Sequence, residues 1–530
     1  MKKSLFFLLL LAQLHAQTSY GPFQVALEEI VIDGAPALQS FAWGTEGADW
    51  LLAGGVTNGV HDQRPPFSFK ADDRNTFLYV MNCEEKTVFS APLNTLPPAI
   101  AEQLSSSNME FIQSGEWLYL FGGYGYDSLA GDWITHPKLT VVHVPGAIAA
   151  IRNGTDLSPH FRQIENEAFA VTGGQVGLIA GEFFLVGGQR FDGRYNPRNM
   201  PSFVQKYSDA IRRFRISDTE GQLTVEGYSE TVNAQQLHRR DYNMLPQVFP
   251  DGAFGFTVFS GVFRPEVDLP WLHSVDVGKG GYAVITDFQQ LFNQYHTAHL
   301  PVYDRVHNAM HSLFFGGIGL YFVSAEGEVL LDSLVPFVKH VSMVTRTADG
   351  ALSESILELG MPGFLGASAE FIPVEGIPEA GAGVVDLNAL PEQPTLVGHI
   401  FGGIEATQPN VFMQPTGSSD ATNRIFRVLL QKDVAGGSFA VALPSSGLLR
   451  QVYTNPEKDT LLVEGAAVPG QALEIELTDG IGSVVNRIEI PAGPDGKFDA
   501  RLGLKTLSKG IYFLSARAGE LLEIKRIVVD

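Results

Sequence analysis

The chain has 530 residues, of which 45% are hydrophobic, and its 58 acidic and 36 basic residues give a formal net charge of −22. This length exceeds one ordinary compact domain and indicates several domains or one large repeat fold, while the apolar content excludes wholesale disorder. The acidic balance argues against nucleic acid as the main partner.

The N-terminal segment has the pattern of a secretory signal peptide. Lys2 and Lys3 precede a short apolar run over residues 4–11, and Ala16 offers a small residue at the expected cleavage point. The run is too short to span a bilayer, so we predict a signal peptide over residues 1–16 and a mature chain that begins at Gln17. A buried N-terminal strand is the alternative. No later stretch of the sequence predicts a transmembrane segment.

Cys83 is the only cysteine, so an internal disulfide cannot form and stability is expected from packing. Its setting, MNCEE, favours a small buried hydrophobe over a catalytic thiol.

Six apolar runs end in a glycine pair or a serine-glycine variant of it. The pairs close the runs at residues 54–55, 122–123, 187–188, 260–261 (Ser-Gly), 316–317 and 402–403. Two glycines remove side chains where neighbouring backbones crowd, and they allow positive φ. Further strand-like runs before and after the pairs indicate about four strands per repeat.

This repeated pair resembles the kelch signature, in which Gly-Gly ends the second strand of a propeller blade. The resemblance covers about residues 23–432 and implies an all-β fold, a six-bladed kelch-like β-propeller over residues 17–432. The copies lie further apart than the usual kelch period of about 50 residues, which implies long loops between strands. A stack of unrelated β-hairpins in a sandwich is the alternative.

Helical periodicity is rare in the sequence. The best helical candidates are TLPPAIAEQLSSS, residues 95–107, and ITDFQQLFNQYH, residues 285–296. We expect both in loops at the rim or on a face of the repeat fold.

Polar clusters near the predicted inner strands are candidates for a ligand site. If the repeats superpose, these side chains converge near a central channel, where loops from every repeat meet at one face. Bridging of adjacent blades by Arg and Asp is the structural alternative. The candidate pocket comprises His238, Arg239, Arg240, Asp241, His311, Glu370, Glu110 and Arg194.

The sequence contains no motif for a metal, a cofactor or a known catalytic machinery. His296 and His299 have helical spacing, but no HExxH, calcium loop, nucleophile elbow, Walker A or dinucleotide fingerprint is present. We therefore expect no metal and no cofactor, and enzymatic activity stays open. The surroundings of Cys83 do not resemble the Cys–Tyr cross-link of galactose-oxidase-type copper enzymes. Kelch-type sialic acid mutarotases are the nearest enzymatic analogy, on fold alone.

The last part of the chain predicts a separate small β-sandwich. Residues 433–450 form a linker with Gly, Ser and Pro, and short alternating strands follow over residues 451–530. This segment resembles the C-terminal sorting domain of the type IX secretion system of Bacteroidetes. An ordinary adhesive β-domain is the alternative. The matching positions are Asn455, Pro456, Asp479, Gly482, Gly510, Tyr512 and Lys525.

The resemblance implies export through the type IX machinery, by way of a periplasmic intermediate, to the outer cell surface or the medium. We interpret the chain as a binding or scaffold protein that recognises a glycan or a protein through its loop face. A sugar-acting enzyme of the isomerase or mutarotase kind, with a central pocket, is the alternative.

Deletion of residues 451–530 should trap the protein in the periplasm of a host with a working type IX system, because the sorting segment is removed while the predicted signal peptide remains. Cell fractionation and surface proteolysis of the deletion variant, beside the full chain, measure this. Arrival of the shortened chain at the surface or in the medium would contradict the assignment.

Overall fold

The computed structural model describes most of the chain after residue 18. The described residues are 19–20, 22–61, 68–196, 202–219, 221–324, 329–412, 417–432, 438–442, 449–455, 459–467, 470, 472–479, 483–493, 497–518 and 521–529. The predicted signal peptide and Gln17, as well as Pro456 and Gly482 of the sorting motif, lie outside them.

Six four-stranded antiparallel units, numbered here as sheets 1 to 6, organise the chain between residues 23 and 432. Sheet 1 consists of Gln39–Glu46, Asp49–Val56, Phe77–Asn82 and Thr87–Pro92. Sheet 2 consists of Glu110–Ser114, Trp117–Phe121, Lys138–His143 and Phe161–Glu165. Sheet 3 consists of Gln175–Ile179, Glu182–Val186, Ala210–Thr219 and Gln222–Val232. Sheet 4 consists of Asn243–Val248, Phe254–Phe259, Ser274–Gly278 and Gly281–Ile285. Sheet 5 is built on His299–Asp304, Ala309–Phe315, His340–Arg346 and Leu352–Gly360. Sheet 6 consists of Glu370–Pro373, Thr395–Phe401, Ile425–Lys432 and Phe23–Ile30.

The outermost strand of sheet 6 comes from the other end of the chain. Phe23–Ile30 pairs antiparallel with Ile425–Lys432 along its whole length. Sheet 5 is also extended, by Ser438–Ala442 and Ser19–Tyr20 at one edge and by Val384–Asp386 and Glu379–Gly381 at the other. The two ends of the repeat region are thus joined within shared sheets.

The connections between these strands contain short helices, 3-10 turns and two-stranded hairpins. The longer helices are Pro98–Leu104 and Val144–Asn153, and short 3-10 turns occupy Ala71–Asp73, Leu93–Thr95, Ser158–His160, Glu167–Phe169 and Leu387–Ala389. Two-stranded hairpins pair Tyr124–Asp127 with Asp132–Thr135, Gln189–Gly193 with Phe203–Tyr207, Tyr321–Val323 with Val329–Leu331, and Ile404–Ala406 with Ser419–Ala421. The first helical candidate is confirmed in its central part, whereas the second is wrong, because no residue from 285 to 296 is helical. None of the described helices is long and apolar enough to cross a membrane.

Every pair of consecutive sheets shares a buried apolar layer, and so do sheets 6 and 1. These layers supply most of the favourable burial in a fold without disulfides. From sheets 1 and 2 through to sheets 6 and 1, the layers include Leu51 with Leu118, Phe121 with Phe183, Phe184 with Phe256, Phe259 with Phe314, Leu313 with Val428, and Phe401 with Phe41.

The glycine pairs fasten each sheet to the next. The N–H of the second glycine donates to a carbonyl just ahead of the following sheet, and we call this hydrogen bond the glycine clasp. The clasps join Gly55 to Ser106, Gly123 to Val171, Gly188 to Arg239, Gly317 to Leu365, and Gly403 to Leu38, with N–O distances of 2.7–2.9 Å.

The serine variant makes an equivalent link. Ser260 Oγ donates to the carbonyl of Asn293 at 2.9 Å, which connects sheet 4 to sheet 5. A hydroxyl therefore replaces a backbone N–H at the one pair that departs from Gly-Gly.

A second series of hydrogen bonds connects the starts of the six first strands. One residue at the start of each first strand has a left-handed backbone. At five junctions, the N–H of this residue donates to the carbonyl of the corresponding residue in a neighbouring sheet, with N–O distances of 2.7–3.4 Å. Between sheets 4 and 5 the Asn243 side chain accepts from the N–H of Thr297 at 2.9 Å. The left-handed residues are Ser40, Asn108, Gly173, Asp241, His296 and Ser368.

The described residues after 448 form two sheets around their own core. One sheet contains Leu449–Thr454, Thr460–Ala466 and Lys497–Gly503, and the other contains Val484–Pro491, Ala472–Asp479, Gly510–Ala518 and Leu521–Val529. Val463 and Phe498 of the first sheet pack with Ile475 and Leu514 of the second.

Replacement of Gly122 by Ala should destabilise the fold more than replacement of Gly115. Both residues have φ near +60°, so each alanine carries the left-handed cost of about 1–2 kcal/mol. A Cβ on Gly122 would also overlap the Val171 carbonyl, whereas a Cβ on Gly115 meets nothing within 4 Å. Urea unfolding of both variants measures the difference, and equal losses would contradict the steric role of the pair.

Candidate functional site

A charged and aromatic cluster lies where sheets 3 and 4 meet, and we call it the Arg240 cluster: Tyr207, His238, Arg240, Asp241 and Phe263. Arg240 Nη1 donates to Asp241 Oδ2, and its Nε donates to the Tyr207 hydroxyl at 3.2 Å. The guanidinium carbon lies 5.2 Å from the centre of the Phe263 ring. Burial lowers the pKa of Arg240, but the Asp241 charge and the Tyr207 hydroxyl outweigh burial and raise this pKa above its ordinary value. Arg240 is therefore a fixed cation.

Tyr207 connects His238 to the arginine. The two rings are stacked with centroids 3.7 Å apart, and the Tyr207 hydroxyl also accepts from the Phe263 N–H at 3.2 Å. His238 Nδ1 lies 2.8 Å from Asp209 Oδ1. The histidine, tyrosine and arginine are thus held in one orientation by side chains and backbone from separate segments.

Asp241 brings residues of sheets 2 and 5 into the same neighbourhood. Burial raises the pKa of Tyr295, and the Asp241 charge adds to that effect. Burial lowers the pKa of His296, against the opposing effect of Asp241. Asp241 also raises the pKa of Glu110, although burial is the larger cause. Hydrogen bonds place Glu110 and Asp241 beside adjacent residues: the Asp241 N–H donates to the Gly173 carbonyl at 2.7 Å, and Glu110 accepts from the Gly174 N–H at 2.7 Å.

Glu110 is the most unusual carboxyl group of this region. It is only 2% exposed, and its Oε1 accepts from the Gly174 N–H at 2.7 Å. Its Oε2, like the buried Oδ1 of Asn108, has no hydrogen-bond partner among the described residues. Burial raises the pKa of Glu110 well above 4.5. The region therefore holds buried polar atoms whose hydrogen-bonding capacity is unused among the described residues.

Glu370 occupies the place in sheet 6 that Glu110 occupies in sheet 2, as the first residue of the first strand. Its Oε2 accepts from the Trp43 indole N–H at 3.3 Å, and burial raises its pKa to about 8. Glu370 thus contacts sheet 1 directly.

Arg239 points away from the cluster and stabilises the backbone. It is 1% exposed, and its Nη1 donates to the carbonyls of Ser260 at 2.8 Å and His273 at 2.6 Å. Its guanidinium carbon lies 4.4 Å from the centre of the Trp271 ring, and burial lowers its pKa to about 9. Arg239 therefore satisfies buried backbone carbonyls, which is the structural role that the sequence left open for the arginines among the candidate residues.

His311 and Arg194 also lie in other surroundings. His311 Nδ1 lies 2.9 Å from Thr345 Oγ1, and its ring contacts Phe23 at 5.4 Å. Burial lowers the pKa of His311 to about 4, so it is a neutral core residue between sheets 5 and 6. Arg194 lies over the Trp133 ring at 5.7 Å.

The structure therefore brings His238, Arg240 and Asp241 together with Glu110 nearby. Sequence reasoning missed Tyr207 and Phe263. Phe263 lies two residues after the fourth pair, and this place is the signal that could have drawn attention to it. Tyr207 ends the second strand of the hairpin that follows the third pair, 19 residues beyond that pair, and has no such signal.

Neither a metal nor a reactive thiol is indicated in the described part of the chain. It contains no group of three or more His, Cys, Asp or Glu side chains suited to holding a metal ion. Burial raises the pKa of Cys83 to about 12, so this thiol stays protonated at neutral pH.

The described sorting-motif residues have structural roles in the C-terminal module. Asn455 Oδ1 accepts from the N–H groups of Asp459 and Thr460, both at 2.9 Å. Asp479 Oδ1 accepts from the Ser483 N–H at 2.8 Å.

Near the end of the module, the Tyr512 hydroxyl donates to the Ser508 carbonyl at 2.8 Å. Lys525 Nζ donates to the Leu449 carbonyl at 2.9 Å, which ties the last strand to the first. Gly510 begins the strand Gly510–Ala518.

Comparison with known proteins identifies the C-terminal module. Residues 451–530 match the family model described as the secretion system C-terminal sorting domain, the type IX sorting tail. No curated protein matches the chain. One solved structure, titled "Structure of YjhT", shares 10% identity over 74% of this chain and 99% of its own, with a TM-score of 0.39. The sorting tail is that of a secreted or cell-surface protein.

Replacement of Glu110 by Gln should flatten the dependence of stability on pH. The folded-state pKa lies above 4.5, so the stability that protonated Glu110 contributes at low pH is lost as the pH rises through that raised pKa. The wild type should lose up to about 1.4 kcal/mol per pH unit relative to the variant. Urea unfolding from pH 4.5 to 8 measures this, with exposed Glu392→Gln as the control. Parallel curves for wild type and Glu110→Gln would contradict the burial of this carboxyl.

Proposed function

We propose that the six sheets are the blades of a kelch-like β-propeller over residues 23–432. Three features support this arrangement: the links from each sheet to the next, the apolar layers between consecutive sheets including 6 and 1, and the antiparallel pairing of Phe23–Ile30 with Ile425–Lys432. A ring of blades is the arrangement in which all six junctions are equivalent.

We further propose that this secreted or cell-surface protein binds a glycan, or a polar surface of a protein, through the face on which the glycine pairs end their strands. The Arg240 cluster carries the proposal. It presents a cation and a carboxylate that are already oriented by a tyrosine and a histidine. Buried polar atoms of Asn108 and Glu110 in the same region have no hydrogen-bond partner among the described residues. Preoriented polar groups bind a ligand at a reduced entropic cost.

A sugar-acting enzyme is the second candidate, and Glu110 is the observation that favours it. Burial raises the pKa of Glu110 above its ordinary value, which favours the protonated form that a general acid requires, and Asp241 supplies a second carboxyl group for proton transfer. Such a pair suits proton transfer in isomerisation of a sugar.

A glycan array and a protein-binding screen with the mature full chain test the proposal. Arg240→Ala should weaken the binding found by about tenfold to a hundredfold, because a charge-assisted contact is lost. Arg427→Ala, which removes a half-exposed arginine paired with Glu28, should leave binding unchanged. If the folded Arg240→Ala variant bound as well as the wild type, the cluster would not be the site.

The same variants separate binding from catalysis. Glu110→Gln keeps the shape of the side chain, so it should weaken binding less than Arg240→Ala does, and it should abolish turnover of a bound sugar only if the protein is an enzyme. Sugar anomerisation followed by NMR provides that measurement.

A further inference from the structure

We propose that a cleft beside sheet 3 is a second binding site, for an uncharged oligosaccharide. The cleft has a volume of about 710 Å³, which falls within the range of about 300–1,000 Å³ for small-molecule sites. It lies between the 3-10 turn Glu167–Phe169, the hairpin strand Phe203–Tyr207 and the last two strands of sheet 3.

Two tyrosines give the cleft its aromatic surface. Tyr228 lies on the edge strand and is 45% exposed, and Tyr207 borders the cleft while it stacks on His238. An aromatic ring with an accessible face and a polar hydroxyl suits a sugar, whose C–H face is apolar and whose rim carries hydroxyl groups.

The charges in the cleft are compensated before any ligand arrives. The cations are Arg190, Lys206 and Arg212, and the acids are Glu167, Asp209 and Glu230, so the charges balance. Two of the cations form close ion pairs with cleft acids. Arg190 lies 2.7 Å from Glu167, and Arg212 lies 3.0 Å from Glu230.

This compensation selects the class of ligand. A strongly charged ligand would have to break existing pairs, and a polyanion would also be repelled by a chain of net charge −22. Sugar hydroxyls can donate to the carboxylates and accept from the guanidinium groups without breaking the pairs. Arg212 also donates to the Ala168 carbonyl at 3.2 Å, which fixes its position at the cleft.

The cleft proposal can be tested separately from the Arg240 cluster. Tyr207 belongs to both, but Tyr228, Arg190 and Glu167 belong to the cleft alone. Variants at Tyr228 and at Arg240 therefore distinguish failure of this inference from failure of the proposed function.

The experiment uses the mature full chain and a panel of neutral tri- to hexasaccharides derived from glucan, mannan, xylan and galactan, with binding followed by saturation-transfer NMR and calorimetry. At least one member should bind, and Tyr228→Ala should weaken its binding at least about tenfold. Tyr228→Phe should preserve binding because the ring remains. Arg427→Ala, which lies outside both the cleft and the Arg240 cluster, should leave binding unchanged. Arg240→Ala should weaken binding less than Tyr228→Ala does.

Three results would overturn the inference. The first is that no neutral oligosaccharide binds the folded chain. The second is that binding survives Tyr228→Ala but is lost in Arg240→Ala, which would support the proposed site instead. The third is that the preferred ligand is an acidic glycan or an extended peptide added along the edge strand Gln222–Val232.

Discussion

The structure depends on one hydrogen bond, the glycine clasp, which recurs at five links between sheets. Its geometry leaves no room for a side chain, because a Cβ on Gly54 would lie 2.6 Å from the Ser106 carbonyl and one on Gly402 would lie 2.5 Å from that of Leu38. The clasp also satisfies a carbonyl at a buried junction, where an unpaired polar group would be costly. Sequence, sterics and hydrogen bonding therefore favour glycine at the same place in five of the six repeats, and in the fourth repeat the Ser260 hydroxyl makes the link instead.

The clasp also determines where functional side chains can lie. Once the carbonyl ahead of each sheet is fixed, the next residues enter the first strand at equivalent positions, and their left-handed backbone links one sheet to its neighbour. Among these six positions, Asn108, Asp241 and His296 carry side chains with an amide, a carboxyl and an imidazole group, whereas the others are serine or glycine. The backbone can stay constant while these side chains vary, which separates stability from recognition.

The repeats and the tail could be predicted from sequence because both are fixed by local chemistry. The detail of the site could not. Arg239 and Arg240 are adjacent and chemically identical, but successive side chains of an extended chain point to opposite sides, so one binds backbone carbonyls and the other joins the cluster. Residues 285–296 have a helical pattern, but tertiary contacts override it: Gln294 Nε2 donates to the Gly316 carbonyl at 2.7 Å. The helix Val144–Asn153 was missed because it contains Pro and Gly in its first turn.

The contact between sheets 6 and 1 tests this account most directly, because the three strands of sheet 6 within residues 370–432 are far from sheet 1 in sequence. A Cβ on Gly47 of sheet 1 would lie 3.7 Å from the Glu375 carboxylate beside sheet 6. The measurement is the distance between spin labels on exposed Glu46→Cys and Glu375→Cys, with Cys83 replaced by Ala, by pulsed electron paramagnetic resonance. The account predicts one short and narrow distance distribution. A long or broad distribution in the folded protein would contradict it.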